Sequence, residues 1–284
     1  MPRTPRPTRL ALALTAVLAV LTGCSTADTD HGADRPTDRR TGAGKTPRPP
    51  QADAPFDYQL GGPYTPPAGV RAVSRDRSAN PAPGRYNICY VNAFQAQPGK
   101  EAAAWWDDEH PDLILRDDDG DPVIDEDWDE PLLDISTAAK RKELLGVVGD
   151  WIDGCARSGF DAVEPDNLDS YARSDDRLDP ADATAFARLL VRRAHERGLA
   201  IAQKNTAELL DKGIGFDFAV VEECGQYDEC EAFSSAYDRR VFDIEYEKKG
   251  YAAACRRWGK DLSIVLRDRD VRPAGEKGHV YRRC

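Results

Sequence analysis

Beyond residue 55 the chain alternates short apolar runs with longer stretches in which apolar residues recur every three or four positions. Eight runs have the length and the β-branched or aromatic content of strands: Phe56–Leu60, Val70–Ser74, Tyr86–Val91, Phe160–Glu164, Leu199–Lys204, Phe216–Glu222, Val241–Glu245 and Leu262–Leu266. From Thr137 to about Arg157, Leu144, Val148, Trp151, Ile152 and Cys155 share one helical face, with Gly159 as the stop. Asp179-Pro180 supplies an N-cap and a first-turn proline for a second helix, which carries Phe186, Leu190, Val191 and Ala194 and ends at Gly198. Strands separated by helices argue for βαβ units and a parallel sheet. Eight such units in about 230 residues predict an α/β fold of the (β/α)8 barrel type, with a doubly wound open sheet as the alternative.

One stretch breaks the alternation. Residues 107–134 hold D-D-D-G-D and D-E-D-W-D-E after the third strand, and an EF-hand register fails because Gly120 would put Leu115 at position one. So long a loop at a barrel mouth suggests a cleft wall carrying Trp105, Trp106 and Trp128. Neither G-x-G-x-x-G nor a P-loop follows any strand, so nucleotide binding has no support and no cofactor is expected.

The first residues bear on compartment. Three arginines precede the apolar run Leu10–Leu21, which is short for a membrane span and leads into Leu21-Thr22-Gly23-Cys24. That layout resembles a bacterial lipoprotein signal: residues 1–23 would be the signal peptide, and Cys24 would be lipidated and hold the protein on the extracellular face of the cytoplasmic membrane. Residues 24–54 are poor in large apolar groups and read as a disordered linker. Residues 55–284 would then form one domain, expected to be a monomer.

Charge narrows the partners. The chain carries a formal −11, and since 8 of its 39 basic and 5 of its 50 acidic groups lie in residues 1–54, the remainder stands at −14. An acidic surface of this kind repels nucleic acid and attracts cations. Six cysteines follow Cys24, an even number that reads as disulfides in an exported chain. Fifteen pairings remain open, although Cys224 and Cys230 can close a small loop and Cys284 can return to Cys255. With four histidines in the chain and no C-x2-C spacing, no metal site is expected.

The strand ends carry the chemistry. They read E164-P-D166-N167-L-D169, Q203-K204-N205, V-V-E222-E223, D243-I-E245-Y246 and R267-D268, and catalytic groups of such barrels sit at that end. Several acids converging on one mouth are costly unless paired, hydrogen-bonded or used. Glycoside hydrolysis needs two carboxylates flanking one bond, one to protonate the leaving oxygen and one to attack the anomeric carbon or activate water. Competing chemistries lack parts, since no G-x-S-x-G or H-E-x-x-H occurs and His195 reads as a solvated mid-helix residue.

These residues also carry a likeness. F-D-A-V-E-P-D-N-L-D-S-Y (Phe160–Tyr171), Lys204-Asn205, F-D-F-A-V-V-E-E-C-G-Q-Y-D-E-C-E (Phe216–Glu231), F-D-Y-Q-L-G-G (Phe56–Gly62), L-L-D-I-S (Leu132–Ser136) and V-F-D-I-E-Y (Val241–Tyr246) resemble glycoside hydrolase family 114, the endo-α-1,4-polygalactosaminidase family. The resemblance spans about residues 56–268. It implies a (β/α)8 barrel that cuts α-linked galactosamine polymers from within, with Asp166 as nucleophile and Glu222 as acid/base in a retaining reaction. It also implies that Tyr58, Tyr90, Asn167, Asp169, Lys204, Asn205, Glu245 and Tyr246 bind the substrate, a cationic amino-sugar polysaccharide. The chain departs from the family after I-C-Y-V, where Asn92-Ala-Phe-Gln-Ala replaces a Ser/Gly-Glu element, which bears on the subsites of that loop. The alternative function is a surface-anchored lipoprotein that binds carbohydrate on the same barrel without cutting it.

Overall fold

The structure is a computed structural model that describes residues 46–97 and 99–284. The signal segment, Cys24 and most of the linker therefore lie outside the described residues. No helix among the described residues is long and apolar enough to cross a membrane.

All eight expected runs form strands of one sheet, in chain order. They are β1 (Phe56–Gln59), β2 (Ala72–Asp76) and β3 (Tyr86–Asn92), then, after a two-stranded ribbon of β4 (Ile124–Asp125) and β5 (Glu130–Pro131), β6 (Ala162–Asp166), β7 (Ala200–Lys204), β8 (Phe218–Glu222), β9 (Val241–Glu245) and β10 (Ser263–Arg267). Each of the eight pairs in parallel with its neighbour from β1 round to β10. The result is a barrel of the TIM type, closed at its seam by other means than a ladder. A ninth strand, β11 (Tyr281–Arg283), runs antiparallel along β10. Its Tyr281 hydroxyl donates to the Phe56 carbonyl at 2.9 Å, and the Arg267 guanidinium meets Asp57 at 3.5 Å.

The helices follow local rules. In α2 (Ala138–Ser158), Thr137 caps the N-terminus through a hydrogen bond from the Lys140 amide, and Gly159 ends the helix at φ 91°, a conformation that suits glycine. In α3 (Pro180–Glu196), Asp179 and Asp182 form a reciprocal capping box. Leu144, Val148 and Ile152 of α2 interleave with Phe186, Leu190 and Val191 of α3 and with the outward Val163 and Ile201 of β6 and β7. This outer core is sealed by the Cys89–Cys155 disulfide between β3 and α2. Cys224–Cys230 and Cys255–Cys284 are the other two bridges.

Alternation along the strands sorts residues into layers. Phe56, Ala72, Ile88, Ala162, Ala200, Phe218 and Phe242 fill the barrel floor. Two residues on stand Tyr58, Ser74, Tyr90, Glu164, Val220 and Ile244, and two further on Leu60, Asp76, Asn92, Asp166, Glu222 and Tyr246. The interior thus changes from apolar to polar over three layers, and the polar layer opens at the carboxyl ends of the strands.

The acidic stretch is more structured than a solvated loop. It starts from α1 (Lys100–Glu109) and returns through the β4–β5 ribbon. Of its three tryptophans only Trp128 reaches the cleft. Trp106 is buried in the outer core, and Trp105 packs on Trp106, His110 and Trp151 away from the mouth. At the other end, residues 46–55 pack beneath the barrel, where Pro50 and Ala54 are buried and the Tyr86 hydroxyl donates to the Arg48 carbonyl.

Candidate active site

Three consecutive strands end in the same way. Asn167, Asn205 and Glu223, each directly after the last strand residue of β6, β7 and β8, adopt left-handed conformations with φ 63°, 46° and 60°. Such residues turn the chain sharply, and asparagine tolerates this better than glutamate. The turns leave Asp166 and Glu222 lining a cleft of about 500 Å³, with Lys204 buried beneath them.

Lys204 is the hub. Its ammonium is fully buried and lies 3.1 Å from Asp166 Oδ1, 3.4 Å from Glu222 Oε2 and 3.4 Å from Glu164 Oε1. Burial opposes its charge, but the three carboxylates hold its pKa well above the usual lysine value. Asp166 is less enclosed but still largely withdrawn from water, which alone would raise its carboxyl. Lys204, the Tyr90 hydroxyl at 2.7 Å from Oδ2 and the Asn167 amide at 2.8 Å from Oδ1 outweigh that and lower it. Glu222 accepts from the Tyr246 hydroxyl on Oε1 and from Asn205 Nδ2 at 3.2 Å on Oε2. Asn205 Oδ1 in turn accepts from the Glu222 amide at 2.8 Å, so one asparagine fixes both backbone and side chain.

Glu164 lies one layer below. Tyr58 and Ser74 donate to its two oxygens at 2.8 and 2.6 Å, and burial pushes its carboxyl up to about 7 although Lys204 opposes the shift. Burial and the surrounding carboxylates also raise the Tyr58 and Tyr246 phenols well above their ordinary value, and burial with Asp166 does the same for Tyr90; all three therefore act as donors. Asp166 and Glu222 remain partly open to solvent, with side-chain exposures of 16% and 28%. The arrangement offers two accessible carboxyl groups on next-but-one strands, each oriented by a tyrosine and an asparagine and both anchored on one cation.

The structure brings nearly all the sequence-selected residues together. Tyr58, Tyr90, Asn167, Asp169, Asn205 and Tyr246 line the cleft with Asp166 and Glu222, and Lys204 forms its base. Asp169 faces Arg173, which holds it through both oxygens at 3.0 Å. Glu245 is the exception. It follows inward-facing Ile244, so it points out of the barrel, where its Oε1 accepts from the Gly225 amide at 2.7 Å. Asp243 shares that outer face. Cys224, Cys230 and Asp243 bring ligand-type atoms within 4.8 Å of one another, but the two sulfurs are spent on their disulfide. His195 is not simply solvated, since its Nε2 lies 2.8 Å from Asp217.

Sequence reasoning overlooked Asn92, Asp125, Glu130, Arg173 and Arg269, all of which line the cleft. Asn92 was within reach, because it lies in phase with Tyr90 and Ile88 on β3. Asp125 and Glu130 come from the ribbon, whose path no periodicity encodes.

Solved structures with the same architecture include Ega3 from Aspergillus fumigatus in complex with galactosamine, at 23% identity over 86% of this chain and 100% of that one, with a TM-score of 0.69. The glycoside hydrolase domain of PelA from Pseudomonas aeruginosa is similar at 17% identity over 78% of this chain and 97% of that one, with a TM-score of 0.57. At these identities the likeness speaks for the barrel. No curated protein sequence matches the chain. Membership is carried by the sequence itself, because residues 37–284 match the model of glycoside-hydrolase family GH114, and the chain belongs to that family.

Proposed function

We propose that the chain is an endo-acting hydrolase of α-1,4-linked galactosamine polysaccharide, with Asp166 as nucleophile and Glu222 as general acid/base. The observation that carries this reading is the shared Lys204, which holds two accessible carboxyl groups at facing positions over one cleft. Glu222, steadied by Tyr246 and Asn205, protonates the glycosidic oxygen as Asp166 attacks the anomeric carbon. The same Glu222 then takes a proton from the water that releases the glycosyl group. Lys204 and the Asn167 amide keep Asp166 ionised for the first step.

Geometry favours retention of configuration. Asp166 Oδ1 and Glu222 Oε2 touch the same nitrogen, so they stand no farther apart than the two distances laid end to end, about 6.5 Å. Retaining pairs are about 5–5.5 Å apart, whereas inverting pairs need about 6.5–9.5 Å to admit water. A cationic polymer suits a domain this acidic, and the similarity to Ega3, solved with galactosamine, points the same way. Export with lipid attachment at Cys24 accords with three disulfides, which persist in oxidising compartments.

The test is incubation with partly deacetylated α-1,4-galactosaminan and mass spectrometry of the products. Internal cleavage into oligomers, with the α-anomer released first, is the expected result. Absence of any product, or release of the β-anomer, counts against the activity or the retaining step respectively. Cys24→Ala should free the protein from the membrane fraction, and persistence there would count against the anchor.

A further inference from the structure

The β4–β5 ribbon delivers one more carboxylate to the cleft, and it differs from its neighbours. Glu130 is 7% exposed and lines the cleft wall. Asn92 Nδ2 at 2.9 Å and Asn167 Nδ2 at 3.3 Å both donate to its Oε2, while among the described residues no protein donor reaches Oε1. Of the other cleft carboxylates, Asp76 is half-exposed and takes its hydrogen bonds from Ser78 and Gln97, and the five more enclosed ones each have a cation. Asp166, Glu164 and Glu222 share Lys204, and Asp125 and Asp169 take Arg173 at 2.6 and 3.0 Å. Arg173 is within electrostatic reach of Glu130, but its Nε is on Asp125 and its Nη1 and Nη2 are on Asp169. A carboxylate withdrawn from water without a cation is costly, and a ligand ammonium removes that cost.

Position says which ammonium. Glu130 is tied to Asn92 at the end of β3 and to Asn167 after β6, so it lies on the β3 side of Asp166; Glu222, on β8, lies on the other. A sugar whose anomeric carbon meets Asp166, with its leaving oxygen toward Glu222, carries its ring across the line between them, and Glu130 lines the wall of the same cleft beside Asp166, tied to the next residue, Asn167. On an amino sugar the nitrogen sits on the carbon next to the anomeric one. We propose, building on the reading above, that Glu130 is the residue that selects a free ammonium on the sugar seated over Asp166, receiving an N–H through Oε1. An N-acetyl group offers no charge to meet it. Burial raises the Glu130 carboxyl to about 7, with the Asn92 amide opposing and Asp166 and Asp125 adding; a bound ammonium would draw its proton off.

Glu130→Gln tests this, because the amide oxygen can still accept from Asn92 and Asn167. Binding of galactosamine and of N-acetylgalactosamine would be measured by calorimetry, and kcat/KM on deacetylated and acetylated oligomers. Galactosamine should bind roughly ten- to a hundredfold more weakly, the worth of one charge-assisted hydrogen bond, while N-acetylgalactosamine changes less than about twofold. Glu130→Asp, which keeps the charge but draws it back, should fall between wild type and the glutamine variant. Equal losses on both sugars, no loss on either, or an aspartate variant no better than glutamine would overturn the assignment. If the wild type cuts neither polymer, the proposed activity falls, and the binding ratio still decides on Glu130.

Discussion

Two groups of carboxyls end neighbouring parts of the same sheet and differ in nearly everything that matters for chemistry. Asp166, Glu164 and Glu222 occupy inward positions of β6 and β8 around Lys204. Asp243 and Glu245 occupy outward positions of β9 behind the cleft, where their oxygens accept from the Cys224 and Gly225 amides at 3.3 and 2.7 Å. No cation pairs with either among the described residues. Burial, with Glu245 beside it, holds the Asp243 carboxyl well above the usual carboxylate range. Glu245 fits so closely that a Cβ on Gly250 would collide with its Oε2. The comparison teaches that strand parity and the presence of a cation, more than the density of acids, separate a set that faces the cleft from one packed behind the sheet.

The comparison can be broken most directly at the two proposed reacting groups. Asp166→Asn and Glu222→Gln should each lower turnover by about a thousandfold or more, general acid/base help alone being worth roughly 10²–10⁴. Asp243→Asn should retain activity within about threefold, as a change outside the cleft does. Steady-state kinetics on one polymer preparation decides, and an inactive Asp243→Asn with an active Asp166→Asn would reverse the roles assigned to the two groups.

The next effect is on stability. Lys204→Met removes the cation shared by three carboxylates and should destabilise the fold by about 3–5 kcal/mol, the range for a buried charge left unpaired. Urea unfolding at neutral pH would show it. A variant as stable as wild type would mean that Lys204 serves only the reaction.

Glu164 supplies a smaller effect with a sign. Its folded carboxyl is raised from 4.5 to about 7, so it contributes stability that is fully present below pH 4.5 and lost as pH rises through about 7. That loss is on the order of 3 kcal/mol at most, and Glu164→Gln should flatten the corresponding part of the stability–pH curve. Asp166 acts oppositely: its lowered carboxyl contributes stability above its ordinary range, lost on acidification. An unchanged slope in Glu164→Gln between pH 4.5 and 7 would contradict this account.

The smallest effect is expected behind β9. Asp243→Asn keeps the shape of a carboxyl whose charge burial already disfavours and should cost under about 1.5 kcal/mol, as near-isosteric buried changes do. A larger loss, read by the same unfolding assay, would mean that Asp243 is ionised there.

How much of this was legible beforehand follows the same physics. Every barrel strand announced itself, because a strand buried on both faces needs an apolar run bounded by turn residues, as Phe218–Glu222 behind Gly213 and Gly215 illustrates. The positions of Asp166, Lys204 and Glu222 at the strand ends were legible for the same reason, these being the polar residues that close those runs. Glu245 was misjudged although its neighbours decide the matter: Phe242 and Ile244 face inward, so Tyr246 does too and Glu245 cannot. Glu130 and Asp125 were out of reach, because a loop between α1 and α2 is placed by tertiary contacts such as Asn92 on Glu130, not by a local pattern. The tryptophans make the same point, since Trp106 and Trp128 look alike in sequence and end up in the core and in the cleft.

The seam of the barrel has a consequence for how the chain is made. Closure depends on β11, whose Tyr281 reaches Phe56 across 225 residues of sequence, and on Arg267 reaching Asp57 across 210. Contacts so distant along the chain form slowly, and these two cannot form until residues 281 and 267 respectively have emerged from the ribosome and, for an exported chain, from the translocation machinery. The edge of β1 that faces the seam must therefore wait uncovered while the other strands pair in turn, and that interval is when an open edge is exposed to misassembly.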